Sequence, residues 1–308
     1  MPRQHWLIIA TLVLVGLIPV SGSRFYVFLA TDIMIFGLFA VSLNLLLGYT
    51  GLVSFGQAAY FGIGAYACGL LMKKGGVTFM IAFPTAGLFG AAAALIIGFF
   101  CVRLTKIYFA MLTLAFSQIV WVIAFKWNSF TGGDNGIIGI DFPSYLDSKT
   151  KYFYFTLAVV SMSLFIIRKV VNSPFGRILT TIRENPERTE FIGINVKLFQ
   201  LLAFIISGFF SAIAGGLFGV FNHSVFPDIL FWPSSAEVLI MTLLGGMYSF
   251  FGPLVGAAAL LYVRMQVASF TEYWPLILGM ILALLLFFLP GGIAGFINDR
   301  INKMGQSR

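Results

Sequence analysis

Ten long apolar runs, separated by short polar segments, decide what this chain can fold into. They cover residues 6–20, 25–47, 52–72, 79–102, 107–125, 152–167, 198–221, 236–248, 252–268 and 273–289. A helix crossing the hydrocarbon of a bilayer needs about 20 mostly apolar residues. Strands of a membrane barrel alternate apolar and polar faces over about 10 residues, and these runs are too long and too uniform for that. Helices also satisfy every backbone polar group internally, as lipid demands. Composition closes off the soluble alternative. Hydrophobic residues make up 59% of the 308 and charged residues only 10%, against roughly 25% charged in an ordinary soluble domain. The expectation is an all-α integral membrane protein, a polytopic bundle of about ten transmembrane helices in one domain over residues 1–308.

The net charge of +8 would suit a nucleic-acid binder, but its distribution argues against nucleic acid. Arg103 and Lys106, then Arg168, Lys169, Arg177, Arg183, Arg188 and Lys197, then Arg300, Lys303 and Arg308 sit between or after apolar runs. Cytoplasmic loops of membrane proteins carry such an excess of Lys and Arg. Ten spans place all three groups in the cytoplasm, with Lys73 and Lys74 outside. An odd number of spans would export the basic C-terminal group, so the apolar stretch 236–268 is divided at Ser249. The first run is open to a second reading: Arg3, a short apolar core and Ser21-Gly22-Ser23 also fit a cleaved signal peptide. Cys68 and Cys101 lie in apolar runs, as small packing residues do. His5 and His223 have no neighbouring ligand set, so no metal site is expected.

Two stretches are long and polar enough to be structured loops. Residues 126–151, extracytoplasmic by this topology, contain Phe130-Thr131-Gly132-Gly133-Asp134-Asn135-Gly136. That density of Gly and Asn marks tight turns and exposed backbone amides. It reads as a plain turn-rich loop, or as a cap over the outer mouth of a pore or part of a partner's docking surface. Residues 168–197, in the cytoplasm, are more informative. Ser173-Pro174 has the form of an N-cap followed by proline at the first helical position. Phe175, Ile178, Leu179 and Ile182 then recur at helical spacing as one apolar stripe. Asn185-Pro186 repeats the start signal, and Glu187 puts negative charge near the positive end of the helix dipole. Gly193 follows the last helical residue, where a left-handed cap is easy. Two short helices joined by a bend are expected, the second over 186–192. It carries Glu187, Arg188 and Glu190 toward water, and Phe191 and Ile192 toward protein or lipid. An amphipathic helix resting on the membrane surface is the competing reading. Two capped helices of mixed charge fit a rigid docking element better, since a lipid binder would carry more Lys and fewer Glu.

Residues 42–69 combine many small residues, which let helices approach closely in lipid, with Asn44, Ser54 and Gln57. Uncharged polar groups in a span face protein or a water-filled path, because exposing them to lipid is costly. These three are candidates for lining a transport path, with interhelical hydrogen bonding as the plainer alternative. Gly48, Gly51 and Gly56 allow a broken or re-entrant helix here. Small-residue spacings recur at Gly215 with Gly219 and at Gly252 with Gly256. Leu243-Leu244-Gly245-Gly246 ahead of Gly252-Pro253 fits a half-helix turning inside the membrane. Asp32, Glu237 and Arg264 lie near span ends, and no deep acid–base pair of the kind a proton-coupled carrier uses is evident. There is no nucleophile elbow, metal-ligand cluster or G-x-x-x-x-G-K-[ST] phosphate loop. The only Lys-Thr pair, Lys149-Thr150, lacks the glycines. The chain is therefore not expected to be an enzyme or to hold ATP by that route.

These segments together carry a resemblance. The stretch from Ser42 to Gly69, with LNLLLGYTGL at 43–52, is similar to a signature of LivM-like permease subunits of branched-chain amino acid ABC importers. The loop from Phe130 to Gly136 resembles that family's T-G-G loop, and SPFGRILTTIRENPERTEFIGI at 173–194 resembles its cytoplasmic loop. Met241 through Gly256 and Pro290-Gly291-Gly292 are similar to its later segments. The resemblance implies a multi-pass permease of the bacterial inner membrane, forming the path for leucine, isoleucine and valine. It implies a second, related permease subunit, a periplasmic substrate-binding protein, and two cytoplasmic ATP-binding subunits that hold the ATP; no cofactor is expected on the chain itself. It also implies that 168–197 is the coupling loop, with Arg183, Glu184, Asn185, Glu187, Arg188, Glu190 and Gly193 at the docking position. Glu190 and Gly193 fall where the general permease motif places its acid and glycine. The Ala-Ala expected beside that acid is Phe191-Ile192 here. The same resemblance admits urea or short amides as substrate. An ion-coupled secondary carrier is the alternative from another mechanistic class.

Overall fold

The structure, a computed structural model, describes residues 16–21, 23–143, 146, 148–268, 276, 279–280 and 292–295. The expected spans 6–20 and 273–289 lie outside these residues for most of their length, as do Pro290, Gly291 and the basic C-terminal group. The described helices of six or more residues are α1 (Arg24–Thr50), α2 (Gln57–Lys73), α3 (Phe79–Cys101), α4 (Lys106–Lys126), α5 (Lys149–Asn172), α6 (Pro174–Glu184), α7 (Pro186–Phe191), α8 (Val196–Phe221), α9 (Trp232–Gly245) and α10 (Gly252–Ala268). A short antiparallel ribbon pairs β1 (Ile137–Ile138) with β2 (Ser224–Val225).

Among the described residues five helices, α1, α3, α4, α5 and α8, are long and apolar enough to cross a membrane. Two of the expected spans are shorter. Helix α2 has 17 residues and α9 has 14, and the described part of α10 has 17. At 1.5 Å per residue α9 reaches about 21 Å, short of a hydrocarbon core of roughly 30 Å. The run 52–72 is also not one helix. Helix α1 passes through Gly48 unbroken, and Gly51, at φ 75°, ends it in the left-handed conformation. A non-helical link then leads to α2 at Gln57. The link is held by the Phe55 amide donating to Thr113 Oγ1 and by the buried Ser54, whose hydroxyl accepts from the Gly56 amide, each at 3.3 Å.

Burial sorts the long helices into two shells. In the most apolar windows of α1 and α8, 72% and 67% of residues are buried, against 39% for α3 and 22% for α4 and α5, so α1 and α8 form the centre. They pack on each other, and α8 also packs on α2; α3 closes over α8 and α2, while α5 and the α9–α10 hairpin pack on α1. The outer faces carry Ile81, Ile96, Ile107 and Met111, all exposed. A face of this kind suits lipid and not water.

Small residues set the closest crossings. A side chain at Gly64 would run into the backbone of Ala212, and one at Gly215 into the carbonyl of Phe61. Helices α2 and α8 therefore meet backbone to backbone, the approach that small residues permit in lipid. In the same way Gly256 faces the carbonyl of Met241, so the Gly252 and Gly256 spacing packs α10 against α9. The chain reverses between these helices at 246–251, where the sequence divides the apolar stretch at Ser249.

The two ends of the bundle differ. At one end Leu45 and Leu46 of α1, Val102 and Phe109 beside the α3–α4 turn, and Leu179 and Ile182 of α6 share one apolar cluster. Arg103 and the basic residues of 168–197 therefore lie at the same end. The 246–251 turn joins them: the Arg183 guanidinium is 5.2 Å from the Tyr248 ring and that of Arg168 is 5.5 Å from the Phe251 ring. At the other end the loop after α4 folds over on itself. Gly132, Gly133 and Gly136 take positive φ, the tight turns expected there. Thr131 donates to the Ala124 carbonyl at 2.6 Å, Lys74 donates to the carbonyls of Ser129 and Phe130 at 2.8 Å, and Lys73 donates to that of Ile138.

Candidate functional site

The three path candidates occupy three different places. Gln57, the first residue of α2, is fully buried and reaches across to α8, where its Nε2 donates to Ser207 Oγ and Ser211 Oγ, both at 2.6 Å. Ser207 donates to the Ser42 carbonyl at 2.6 Å, Ser211 lies 2.7 Å from Ser42 Oγ, and Ser42 donates to the Phe39 carbonyl at 2.6 Å. These four side chains make a polar layer inside the central helices, in which each hydroxyl finds an acceptor. Gln57 Oε1 has no partner among the described residues. Interhelical hydrogen bonds in membrane proteins average about 0.6 kcal/mol each, so the layer fixes the register of α1, α2 and α8 more than it adds stability. Asn44 is buried on another side of α1. A side chain at Gly48 would meet both its amide oxygen and the Met247 carbonyl, which places it against the α9–α10 turn. Neither atom of its amide has a partner among the described residues. Ser54 sits on the link between α1 and α2.

At the end away from α6, a cavity of about 440 Å³ opens between α1, α2, α8, α9 and α10. Asp32, Glu237 and Arg264 line it, and Arg264 donates to Glu237 Oε1 at 2.8 Å. The sequence leaves these as separate residues near span ends. The α9–α10 hairpin brings Glu237 and Arg264 into an ion pair that the sequence did not show, with side chains 26% and 40% exposed. Part of the wall is aromatic. The rings of Phe36, Phe61 and Phe218 are 5.9 Å, 5.7 Å and 5.4 Å apart, pair by pair.

The segment after α5 is built as two helices. Leu179 and Ile182 of α6 are buried, and Phe175 stacks on Phe199 of α8 at 5.6 Å. Arg183 donates to the carbonyl of Gly48, near the end of α1. The expected cap at Ser173 is not made. Ser173 is the single residue between α5 and α6, and its hydroxyl donates back to the Val170 carbonyl at 2.6 Å, serving the helix that ends rather than the one that begins. Pro174 takes the first helical position. Asn185 does cap α7, its Oδ1 accepting from the Arg188 amide at 2.9 Å, and Gly193 takes φ 87° beyond it. Glu184, Glu187, Arg188 and Glu190 are exposed. Phe191 and Ile192, expected against protein or lipid, stand 89% and 70% exposed on this chain.

A family profile described as branched-chain amino acid transport system / permease component matches residues 25–289, from the first turn of α1 through α10. The chain belongs to that family. It is similar to the high-affinity branched-chain amino acid transport system permease protein LivM of Salmonella typhimurium, 31% identical over 99% of this chain and 79% of that protein. LivM of Escherichia coli is 32% identical over 94% of this chain and 75% of its own length. A probable branched-chain amino acid transport permease protein LivH of Methanocaldococcus jannaschii is 25% identical over 71% of this chain and 72% of that protein. No solved structure matches the chain.

In this permease the residues that the sequence did not single out are the partners. Ser207 and Ser211 stand one helical turn apart on a helix whose other polar side chains, Lys197 and Gln200, lie in its first two turns, and that spacing places two side chains on one face. That i, i+4 pair is the sequence signal for a polar group arriving from elsewhere. Nothing local to Gln57 reveals which helix it reaches.

Proposed function

We propose that this permease forms the translocation path of an ATP-driven importer of leucine, isoleucine and valine in the bacterial cytoplasmic membrane. The similarity to LivM permeases over nearly the whole chain carries this reading. Basic residues concentrate at the α6 end, which the positive-inside rule assigns to the cytoplasm. The similarity to both LivM and LivH proteins supports a second, related subunit beside this one. ATP is held by two separate cytoplasmic subunits, and a periplasmic binding protein delivers substrate from the other side.

The segment 168–197 is the coupling element on this reading. Glu184, Glu187, Arg188 and Glu190 present mixed charge to the ATP-binding subunits, and Phe191 and Ile192 offer apolar surface for the same groove. Asn185 and Gly193 cap α7 so that it moves as a unit. Arg183 links that movement to α1, because its guanidinium is bound to a carbonyl of the central helix. ATP can drive transport only by binding one arrangement of the bundle better than the other. Loaded binding protein biases the same equilibrium from outside. Gln57 with its serines, Asn44 and Ser54 lie along the helices that must separate for a path to open.

The test is uptake of labelled leucine into vesicles holding this chain with its partner subunits, with and without internal ATP and with urea as competitor. ATP-dependent leucine uptake that urea leaves unchanged is the expected result. Uptake of urea in place of leucine would keep the architecture and replace the substrate. Leucine uptake that ignores ATP and follows an ion gradient would overturn the importer.

A further inference from the structure

The cavity at the end away from α6 holds groups that the coupling mechanism does not use. Asp32, Glu237 and Arg264 belong to α1, α9 and α10. Charged side chains within spans are costly, and such residues mark ligand or ion pathways. A chain with 10% charged residues sets four of them, Asp32, Asp228, Glu237 and Arg264, on one cavity. A staple between α9 and α10 accounts for the Glu237–Arg264 pair. It does not account for Asp32 on α1, for the space of about 440 Å³ beside the pair, or for the phenyl wall of Phe36, Phe61 and Phe218.

We propose that this cavity is a binding station for an α-amino acid zwitterion with an apolar side chain. Arg264 takes the carboxylate, Asp32 and Glu237 take the ammonium, and Phe36, Phe61 and Phe218 cover the side chain. The proposal rests on the importer reading, under which the cavity lies on the extracytoplasmic side where delivered substrate enters. A zwitterion brings one charge of each sign to a cluster that has both. It replaces one internal ion pair with two ligand pairs and leaves the net charge of the cavity unchanged. A guanidinium presents parallel donors to a carboxylate, which adds direction to the attraction. Covering aliphatic groups with aromatic rings contributes about 25 cal/mol per Å². A small neutral solute such as urea gains neither term. The volume falls within the roughly 300–1,000 Å³ of small-ligand sites.

Ser234 lines the cavity and is partly exposed, whereas Cys68 and Cys101, the two native thiols, are buried. The complex carrying Ser234→Cys is treated with a water-soluble methanethiosulfonate in the presence of leucine, isoamylamine (leucine without its carboxylate) or urea. Leucine is expected to slow modification about fivefold once its free concentration is about four times its dissociation constant. Urea is expected to have no effect and isoamylamine a weaker one. Adding Arg264→Gln should abolish the protection, and Arg264→Lys should restore part of it. Equal protection by isoamylamine and leucine overturns the role of Arg264. Leucine uptake by the unsubstituted complex is measured in parallel. Intact uptake with no leucine protection of the introduced thiol overturns the station and leaves the importer standing, whereas absent uptake sinks the importer itself.

Discussion

Arg183 and Gly48 are 135 residues apart in sequence, and the guanidinium of the first donates to the carbonyl of the second. The carbonyl is available because α1 ends just beyond it. The amide of Leu52, four residues on, donates to Leu46 at 2.9 Å and not to Gly48. Helix ends leave such carbonyls without intrahelical partners. Here a residue of α6 supplies the donor, and the most buried helix of the bundle is thereby tied to α6.

Arg183→Met keeps the stem of the side chain and removes the bond. Hydrogen bonds to charged donors are worth about 1.5–3 kcal/mol, so ATP-dependent uptake should fall about tenfold or more. Insertion and the amount of protein in the membrane should not change. Uptake equal to that of the unsubstituted protein would show that α6 and α1 move without this tie.

Glu190→Lys reverses one charge on the exposed face of α7. The protein should insert normally and lose ATP-dependent uptake, because the docking surface no longer matches its partner. A well-expressed variant with normal uptake would remove 168–197 from the coupling role.

The polar layer can be weighed by a double-mutant cycle. Gln57→Leu and Ser211→Ala, alone and together, should show a coupling of about 0.6 kcal/mol in unfolding from detergent. The hydrogen bond between them, at 2.6 Å, is the source of the term. Strict additivity would mean that the two side chains do not interact in the protein.

Two glycines should respond differently to alanine. Gly64→Ala drives a methyl into the Ala212 backbone, so the central helices must separate and the yield of folded protein should collapse. Gly193→Ala meets nothing within 4 Å and bears only the strain of its φ of 87°, a cost of about 1–2 kcal/mol for a non-glycine residue in that conformation. Monodisperse yield after extraction separates the two outcomes. A normal yield for Gly64→Ala would contradict the close crossing of α2 and α8.

Orientation is open to a direct check. Arg188 is exposed on α7, so Arg188→Cys should react with a membrane-impermeant thiol reagent only after cells are opened. Reaction in intact cells would invert the topology.

The sequence made the local elements legible because their causes are local. The Asn185 cap, the left-handed Gly193 and the turns at Gly132, Gly133 and Gly136 each follow from one or two residues and their backbone preferences. The apolar runs placed eight of the described helices for the same reason. Ser173 misled because its hydroxyl had two helix ends to choose between, and only the geometry shows that it serves Val170. The glycines allowed a break in this region, but hydrophobicity does not distinguish an apolar helix from an apolar extended segment, so the extent of the link at 51–56 came only from the structure. Tertiary partners were out of reach for a different reason. Gln57 meets Ser207 across 150 positions, and Glu237 meets Arg264 only because a tight hairpin folds α10 back on α9. The spacing of Ser207 and Ser211 announces a polar partner without saying which, and nothing in the spacing of Glu237 and Arg264 announces their meeting.

The brevity of α9 has a consequence for the surrounding lipid. With 14 residues it extends about 21 Å, less than the hydrocarbon thickness of an average bilayer. Beside it the bilayer must thin, or the polar ends must sink into it, at a fraction of a kcal/mol for each ångström of mismatch. Acyl-chain length therefore acts on the same hairpin that carries Glu237 and Arg264, and reconstitution in short-chain and long-chain lipids should not give equal transport rates. The permease is in this sense tuned to the thickness of its own membrane.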